Sequence, residues 1–369
     1  MEEIAERLGL SEGFLWNAYS LARSGRGYTI FEIPKRSGGT RKIHRPSDKL
    51  RYVQYLIKRR ILDQAPQSKE CVTAFCKGIS IRDNASAHCN KAVLVKFDLK
   101  DFFPSVSLGK IVHVFKSLGF DDWDSQGLAY LTTIRIDSLV KSEKFSAADL
   151  CYIHSKRLKE VTDSYIGHLK SEAYDKRRAM EDGIDFGDLG WEADCLLSEA
   201  RRLEQDRKIL PKAKVVRGLP QGAPTSPQLA NLAARRLDAR IQGLANRLGF
   251  KYTRYADDLT FSSSDPRAKT NVLGRFLEQI IRDCGFEVNS SKTSFMRAPA
   301  TRQTTGLIVN EEKPRVRRHL IRKVRAMIHH YCKGSLPDDQ LLRLNGYLSF
   351  IRMINPEQSE KLEARMPKV

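Results

Sequence analysis

Residues 250–262 read FKYTRYADDLTFS, an aromatic and β-branched run broken at its middle by two adjacent aspartates. Tyr252, Arg254 and Ala256 alternate with Tyr255, Asp257 and Leu259 as in a strand, where successive side chains face opposite ways. A straight strand cannot put Asp257 and Asp258 on one face, so one of them must point inward. Asp-Asp is equally ordinary chemistry for a tight hairpin, which would expose both acids. Turn chemistry does not account for the flanks, Tyr252, Thr253 and Tyr255 before the pair and Leu259, Thr260 and Phe261 after it. Paired carboxylates in that setting need a cation.

Composition narrows what the cation serves. The chain has 369 residues, 41% of them hydrophobic, enough for a sizeable core and more than one domain. Its 64 Lys and Arg against 44 Asp and Glu leave a net charge of +20, which points to a polyanionic partner. The cysteines (Cys71, Cys76, Cys89, Cys151, Cys195, Cys284 and Cys332) are scattered with no Cys-x-x-Cys pair. That argues against a disulfide framework or a zinc site and suits a reducing cytoplasm. The opening MEEIAERLGL is acidic and lacks a signal peptide's basic and apolar regions. No run approaches the ~20 apolar residues of a membrane span. The expectation is a soluble, cytoplasmic protein with no membrane partner.

Charge is unevenly spread. Residues 141–214 hold 15 basic and 15 acidic residues, so the rest of the chain carries the whole excess. The neutral stretch reads as helix, with Leu150, Ile153, Leu158, Val161, Tyr165 and Leu169, then Leu196, Leu197 and Leu203, at mostly three-to-four spacing. It also carries Tyr152, Tyr174, Phe186 and Trp191, the residue types that anchor protein interfaces. A self-contained helical hairpin would read the same way. Residues 301–333 hold 9 Lys and Arg against Glu311 and Glu312, which predicts a basic helix over 313–333.

An aspartate pair holding catalytic Mg²⁺ calls for another carboxylate from elsewhere in the chain. KAVLVKFDLKDFFPSV, residues 91–106, supplies it: Val93, Leu94, Val95 and Phe97 read as a buried strand delivering Asp98 at its end, with Asp101 a second candidate. Pro104 stops the strand and permits a helix from about Ser105, which an aspartate could also cap. Two Mg²⁺ ions about 3.5–4 Å apart could clamp an attacking hydroxyl and a phosphate leaving group.

In order, FDLKDFFPSV (97–106), RGLPQGAPTSPQLANL (217–232), YTRYADDLTFS (252–262), GFEVNSSKTSFM (285–296) and QTTGLIVN (303–310) resemble the palm of a reverse transcriptase. Upstream, YTIFEIPKRSGGTRKIHRP (28–46) resembles the fingers hairpin that carries basic residues to an incoming triphosphate. NASAH, Asn84 to His88, matches the Asn-Ala-x-x-His signature of retron reverse transcriptases, and TTG, 304–306, resembles their Val-Thr-Gly with Thr304 in place of valine. Together these blocks span 81 of the 369 residues, and 141–214 is outside all of them.

The resemblance implies roles for individual residues. Asp98, Asp257 and Asp258 would be the metal carboxylates for two Mg²⁺ ions, and Lys292 would protonate or neutralise the departing pyrophosphate. Phe103 would exclude a 2′-hydroxyl from the incoming nucleotide, Gln221 would approach that nucleotide on a bent loop, and Lys35 and Arg41 would hold triphosphate oxygens. Asn84 and His88, four apart and able to share a helical face, would recognise a cognate non-coding RNA together with Thr305 and Gly306. Arg317, Arg318 and Arg322 on the basic helix would grip RNA through phosphates. Each is also explicable as an ordinary core, capping or solvated residue.

The expected fold is α+β, a right-hand polymerase with fingers, palm and thumb plus a helical insertion. Its expected divisions are N-terminal helices and fingers over 1–96, palm over 97–140, insertion over 141–214, the second palm part with the catalytic strand pair over 215–310, and thumb over 311–369. The implied activity is RNA-directed DNA synthesis from dNTPs. Its template would be a structured non-coding RNA, primed from a guanosine 2′-hydroxyl to give branched RNA–DNA that acts with an effector against phage. The effector, or another copy in a higher-order oligomer, would dock at 141–214. The alternatives are a group II intron-type or other bacterial reverse transcriptase, from which the short stretch after residue 310 distinguishes it, and a nucleic-acid-holding scaffold that restrains an effector.

Overall fold

The computed structural model describes residues 1–35, 38–66, 71–136 and 217–366, with helical positions 167, 170–174, 176, 178, 197, 198, 200 and 201 between them. Apart from those positions, the expected insertion at 141–214 lies outside the described residues, as do Tyr152, Tyr165, Phe186 and Trp191. The chain divides into two compact units, Met1–Ile61 with Val106–Ser226, and Leu62–Ser105 with Pro227–Val369.

The first unit opens with α1 (Glu2–Leu8), α2 (Glu12–Ser24), β1 (Tyr28–Pro34), β2 (Thr40–Pro46) and α3 (Asp48–Arg60). The second opens with α4 (Ile81–Ser86) and β3 (Val93–Asp98), after which the first resumes with α5 (Leu108–Ser117), α6 (Asp122–Thr132), β4 (Ile134–Arg135) and β5 (Arg217–Gly218). The second then continues with α7 (Ser226–Ala233), α8 (Arg235–Arg247), β6 (Lys251–Tyr255), β7 (Asp258–Ser263), α9 (Thr270–Asp283), β8 (Ser294–Arg297), β9 (Gln303–Thr304) and β10 (Leu307–Ile308). It ends in α10 (Arg318–Cys332), α11 (Asp338–Ile354) and α12 (Pro356–Glu363).

The first unit is helical around one exposed hairpin. α2 buries Leu15, Ala18, Tyr19 and Ala22, and α3 buries Leu50, Val53 and Ile57, the one-face spacing of amphipathic helices. Ser11 and Asp121 cap α2 and α6 by accepting from backbone N–H groups of the first turn. The helix expected from about Ser105 starts three residues later. Ser107 caps α5, accepting from the Lys110 N–H, and Pro104 sits in a turn closed by Ser105 N–H to the Asp101 carbonyl at 2.9 Å. Arg217 anchors β5: its buried guanidinium donates to the Thr133 and Ala22 carbonyls at 2.6 and 2.9 Å and stacks 4.8 Å from the Tyr130 ring. Burial lowers the pKa of that guanidinium, opposed by its tyrosine neighbours.

The second unit is built on an antiparallel sheet of order β6-β7-β3-β8. β3 pairs with β7 from Val93↔Ser263 to Asp98↔Asp258, and β6 pairs with β7 from Lys251↔Ser262 to Tyr255↔Asp258. Cross-strand partners share a face, so the register sorts the side chains. One face carries Tyr252, Arg254, Leu259, Phe261, Phe97 and Phe295, with Tyr252 stacked on Phe261 at 5.0 Å and Phe97 edge-on to Phe261 and Phe295 at 6.1 and 6.0 Å. α8 and α9 bury Leu237, Ile241 and Ala245, and Leu273, Leu277 and Ile281, each set four residues apart. The opposite face carries Asp98, Asp258, Thr260, Ser262 and Thr253. β9, β10 and α10 to α12 share a core in which Leu307, Val309, Val324, Leu344, Ile351 and Ile354 pack with Leu94. Helices packed around an antiparallel sheet make this α+β.

Candidate active site

The stretch over 250–262 is both strand and turn. β6 and β7 form a hairpin with a two-residue loop, Ala256-Asp257, whose first residue is left-handed (φ 57) and buried. That conformation costs a non-glycine residue about 1–2 kcal/mol. Arg254 underpins it from the helix-covered face. Its guanidinium donates bidentately to Asp238 at 2.8 and 2.7 Å, to Asn231 Oδ1 at 3.0 Å, and to the Ala256 carbonyl at 3.1 Å. Burial opposes the charge on Arg254, but the Asp238 carboxylate outweighs it and raises the pKa. The same guanidinium lies 5.6 Å from the Phe102 ring. Neither Arg254 nor Asp238 stands out in the sequence as part of the site; an arginine in a strand between Tyr252 and Tyr255 is the available signal.

The register brings Asp98 directly opposite Asp258, and Asp257 occupies the adjoining loop, where its carbonyl accepts from the Leu99 N–H at 2.9 Å. Of the two upstream candidates, Asp98 is thus the one at the pair. Asp101 is exposed, at a left-handed φ of 46, in the turn beyond. Like charges directly across a sheet repel. The Asp257 carboxyl registers this: burial, then Asp98 and Asp258, push its pKa up to about 6. Burial raises that of Asp258 as well.

One cation is already present. Lys292 Nζ lies 2.9 Å from Asp98 Oδ2, and Asn289 Nδ2 donates to Asp98 Oδ1 at 3.0 Å. The Lys292 hydrogen bond to Asp98 is the main reason its pKa is raised, with the charges of Asp98, Asp257 and Asp258 adding to it. Asn289 is anchored by its N–H to the Asp98 carbonyl at 2.8 Å, a contact between residues 191 apart in the chain that sequence spacing does not reveal. Among the described residues, no group of three or more His, Cys, Asp or Glu is gathered as a metal site. The donor set is nonetheless three carboxylates, the hard oxygen ligands that Mg²⁺ takes.

Phe103 is half-buried in the turn after β3, 5.6 Å from Phe102 and 6.1 Å from Phe75, while Phe102 is a core residue packed on Phe286. In the first unit, Lys35 and Arg41 are exposed on the β1–β2 hairpin, Arg41 paired opposite Ile33. Gln221 is half-buried, and its carbonyl accepts from the His44 N–H of β2 at 2.7 Å. Gly222 follows at φ 119, where a Cβ would come within 3.0 Å of the His44 carbonyl oxygen. Glycine is required there by both the backbone and the contact.

The residues expected to touch RNA separate into two groups. Thr305 (φ 47) and Gly306 (φ 83) form the loop between β9 and β10, Gly306 exposed, and Arg317, Arg318 and Arg322 are exposed at the start of α10. Arg318, Arg322, Arg325 and His329 form one exposed stripe at helical spacing. Asn84 and His88, by contrast, are 0% and 1% exposed. They do not share a helical face either, since α4 ends at Ser86 and His88 sits in the turn beyond. Neither side chain is open to an RNA in this structure, because both are consumed by hydrogen bonds inside the second unit.

Comparison with known proteins adds a family. A family model described as reverse transcriptase (RNA-dependent DNA polymerase) matches residues 188–317. The chain is 31% identical to the retron Mx65 reverse transcriptase of Myxococcus xanthus, across 99% of this chain and 70% of that protein. It is 30% identical to the retron Mx162 reverse transcriptase of the same organism, across 100% of this chain and 66% of that protein. Among solved structures, a telomerase from Candida albicans in complex with a TWJ fragment of telomeric RNA is similar over 93% of this chain and 57% of that one, at 12% identity and a TM-score of 0.41.

Proposed function

The chain belongs to the retron reverse transcriptases and is an RNA-directed DNA polymerase of the right-hand fold; from that premise we propose that Asp98, Asp257 and Asp258 carry its nucleotidyl transfer. The observation that supports this most is the register that sets Asp98 against Asp258 with Asp257 in the adjoining loop. Mg²⁺ held by these carboxylates would activate the attacking hydroxyl and neutralise charge on the phosphates. Burial, then repulsion from Asp98 and Asp258, raises the Asp257 pKa, and a divalent charge held by the three carboxylates would relieve that repulsion. Lys292, 2.9 Å from Asp98, would neutralise or protonate the pyrophosphate as it leaves. Phe103 excludes a 2′-hydroxyl by shape, Gln221 meets the nucleotide, and Lys35 and Arg41 take triphosphate oxygens, the arginine by its planar fork.

The template in this proposal is a cognate structured non-coding RNA, primed from a guanosine 2′-hydroxyl, and the product is branched RNA–DNA used with an effector in anti-phage defence. Family membership and the exposed arginine stripe on α10 support an RNA template and DNA product, the phosphates supplying affinity and RNA shape supplying choice. Residues 141–214, neutral within a basic chain, are proposed to dock the effector. Sequencing the nucleic acid that copurifies with the protein tests the first part. One RNA species joined to DNA through a 2′–5′ bond supports it, and mixed cellular RNA without attached DNA refutes it. Replacing 141–214 with a short Gly/Ser connection tests the second, with DNA synthesis retained and effector association lost as the expected result.

A further inference from the structure

Behind the catalytic hairpin lies a buried polar network that joins segments far apart in the chain. Asn84 Oδ1 accepts from Thr73 Oγ1 at 2.9 Å and from Thr253 Oγ1 at 2.7 Å. Asn84 Nδ2 donates to Thr304 Oγ1 at 3.4 Å, and Thr304 Oγ1 lies 3.0 Å from Thr260 Oγ1. His88 spans the two hairpin strands, Nε2 at 2.7 Å from Thr253 Oγ1 on β6 and Nδ1 at 2.7 Å from Ser262 Oγ on β7. With the Asn84 amide oriented this way, the single hydroxyl proton of Thr253 goes to Asn84. His88 must then donate from Nε2 to Thr253 and accept at Nδ1 from Ser262. Burial, then the charges of Lys251 and Lys91, lower the His88 pKa to about 3, so the ring is neutral.

Every member is buried: Thr73 is 8% exposed, Asn84 0%, Thr253 2%, Thr260 1%, Ser262 1% and Thr304 0%. None of their polar atoms is left without a partner. A buried network that is fully satisfied rigidifies its surroundings, whereas one left half-satisfied is costly. Its place in the sheet gives the rigidity a use. Thr253, Thr260 and Ser262 project from the same face as Asp98 and Asp258, and Thr260 is two residues along β7 from Asp258. Asp98 and Asp258 are cross-strand partners with Asp257 in the adjoining loop, and like charges so placed repel, so the hairpin must be held against that repulsion.

We propose that Asn84, His88 and Thr304 are positioning residues, which clamp β6 and β7 through Thr253, Thr260 and Ser262 and so hold Asp257 and Asp258 where metal and substrate meet them. The Asn-Ala-x-x-His and Thr-Thr-Gly segments are then a single device. The threonine that this chain has where the resembling motif has valine joins the network through its hydroxyl. The inference rests on the catalytic reading of the aspartates.

Thr253→Val and Thr304→Val remove a hydroxyl at nearly constant volume, and Thr253→Ser restores one. Unfolding curves establish that each variant is folded, and Ser262→Ala, the smallest deletion in the network, replaces any that is not. The expected result for Thr253→Val is a single-turnover synthesis rate about 10- to 100-fold lower and weaker Tb³⁺ binding by luminescence titration, the scale of lost ligand support. RNA affinity without divalent cation stays within about twofold, and Thr253→Ser recovers the rate, because only the hydroxyl matters to the hydrogen bonds. Lost RNA affinity with an unchanged rate at saturating RNA would overturn the proposal, as would parental rate and Tb³⁺ binding in every variant. An Asp257→Asn control separates the two readings: if it still synthesises DNA, the catalytic assignment fails whatever the network variants do.

Discussion

Lys292 and Asp98 form an unequal pair: the carboxylate side chain is 7% exposed, the lysine side chain 56%, and their charged atoms lie 2.9 Å apart. Removing the lysine therefore leaves a buried acid uncompensated, whereas removing an exposed pair such as Lys100–Glu287, 3.7 Å apart, removes little. Lys292→Met is expected to lower the single-turnover rate by about 10²-fold or more, on the scale of general acid catalysis. Lys292→Arg should keep a large part of the rate and Lys100→Met nearly all of it. A Lys292→Met enzyme as fast as the parent in rapid-quench assays would remove the lysine from the mechanism.

Phe103 leans on Phe102 and Phe75 yet is only half-buried, so its ring has a free edge to act as a wall. Phe103→Ala should raise ribonucleotide incorporation relative to deoxyribonucleotide by at least about tenfold, since an apolar surface discriminates by shape. Competition between dNTP and NTP on one template measures it. An unchanged ratio places the sugar gate at another residue.

The carboxyl of Asp257 has its pKa pushed from an ordinary 3.8 up to about 6, first by burial and then by Asp98 and Asp258. A raised value means that the folded protein holds this proton more tightly than the unfolded chain. The associated stability is fully present below pH 3.8 and is lost as pH rises through about 6. With divalent cations chelated, Asp257→Asn is expected to stabilise the protein by about 1–3 kcal/mol at pH 7.5. The gain should shrink toward zero near pH 4, and chemical denaturation at the two pH values checks it. Added Mg²⁺ should reverse the order by stabilising the parent more than the variant.

What could be read from the sequence was governed by range. Asp257, Asp258 and Asp98 announced themselves because each sits in or at the end of a short apolar strand, a local pattern. What sets Asp98 rather than Asp101 against the pair is the β3–β7 register, a non-local pairing. The contact of Lys292 with Asp98 crosses 194 residues, and that of His88 with Thr253 crosses 165. The burial of Asn84 and His88 is hidden from the sequence for a related reason. Polar residues are exposed by default, and only a satisfied network allows their burial. Pro104 does not end the strand: β3 stops at Asp98, Pro104 lies in the turn beyond, and Ser107 caps the helix that follows.

The central claim is that this chain makes DNA on RNA through Asp98, Asp257 and Asp258. Its most direct test is single-nucleotide primer extension on an RNA template in Mg²⁺, comparing the parent with Asp257→Asn at matched fold and RNA occupancy. The variant is expected to bind RNA like the parent but to extend more slowly by roughly 10³-fold or more, ~4 kcal/mol of lost transition-state stabilisation. Extension by Asp257→Asn at a rate near the parent's would contradict it.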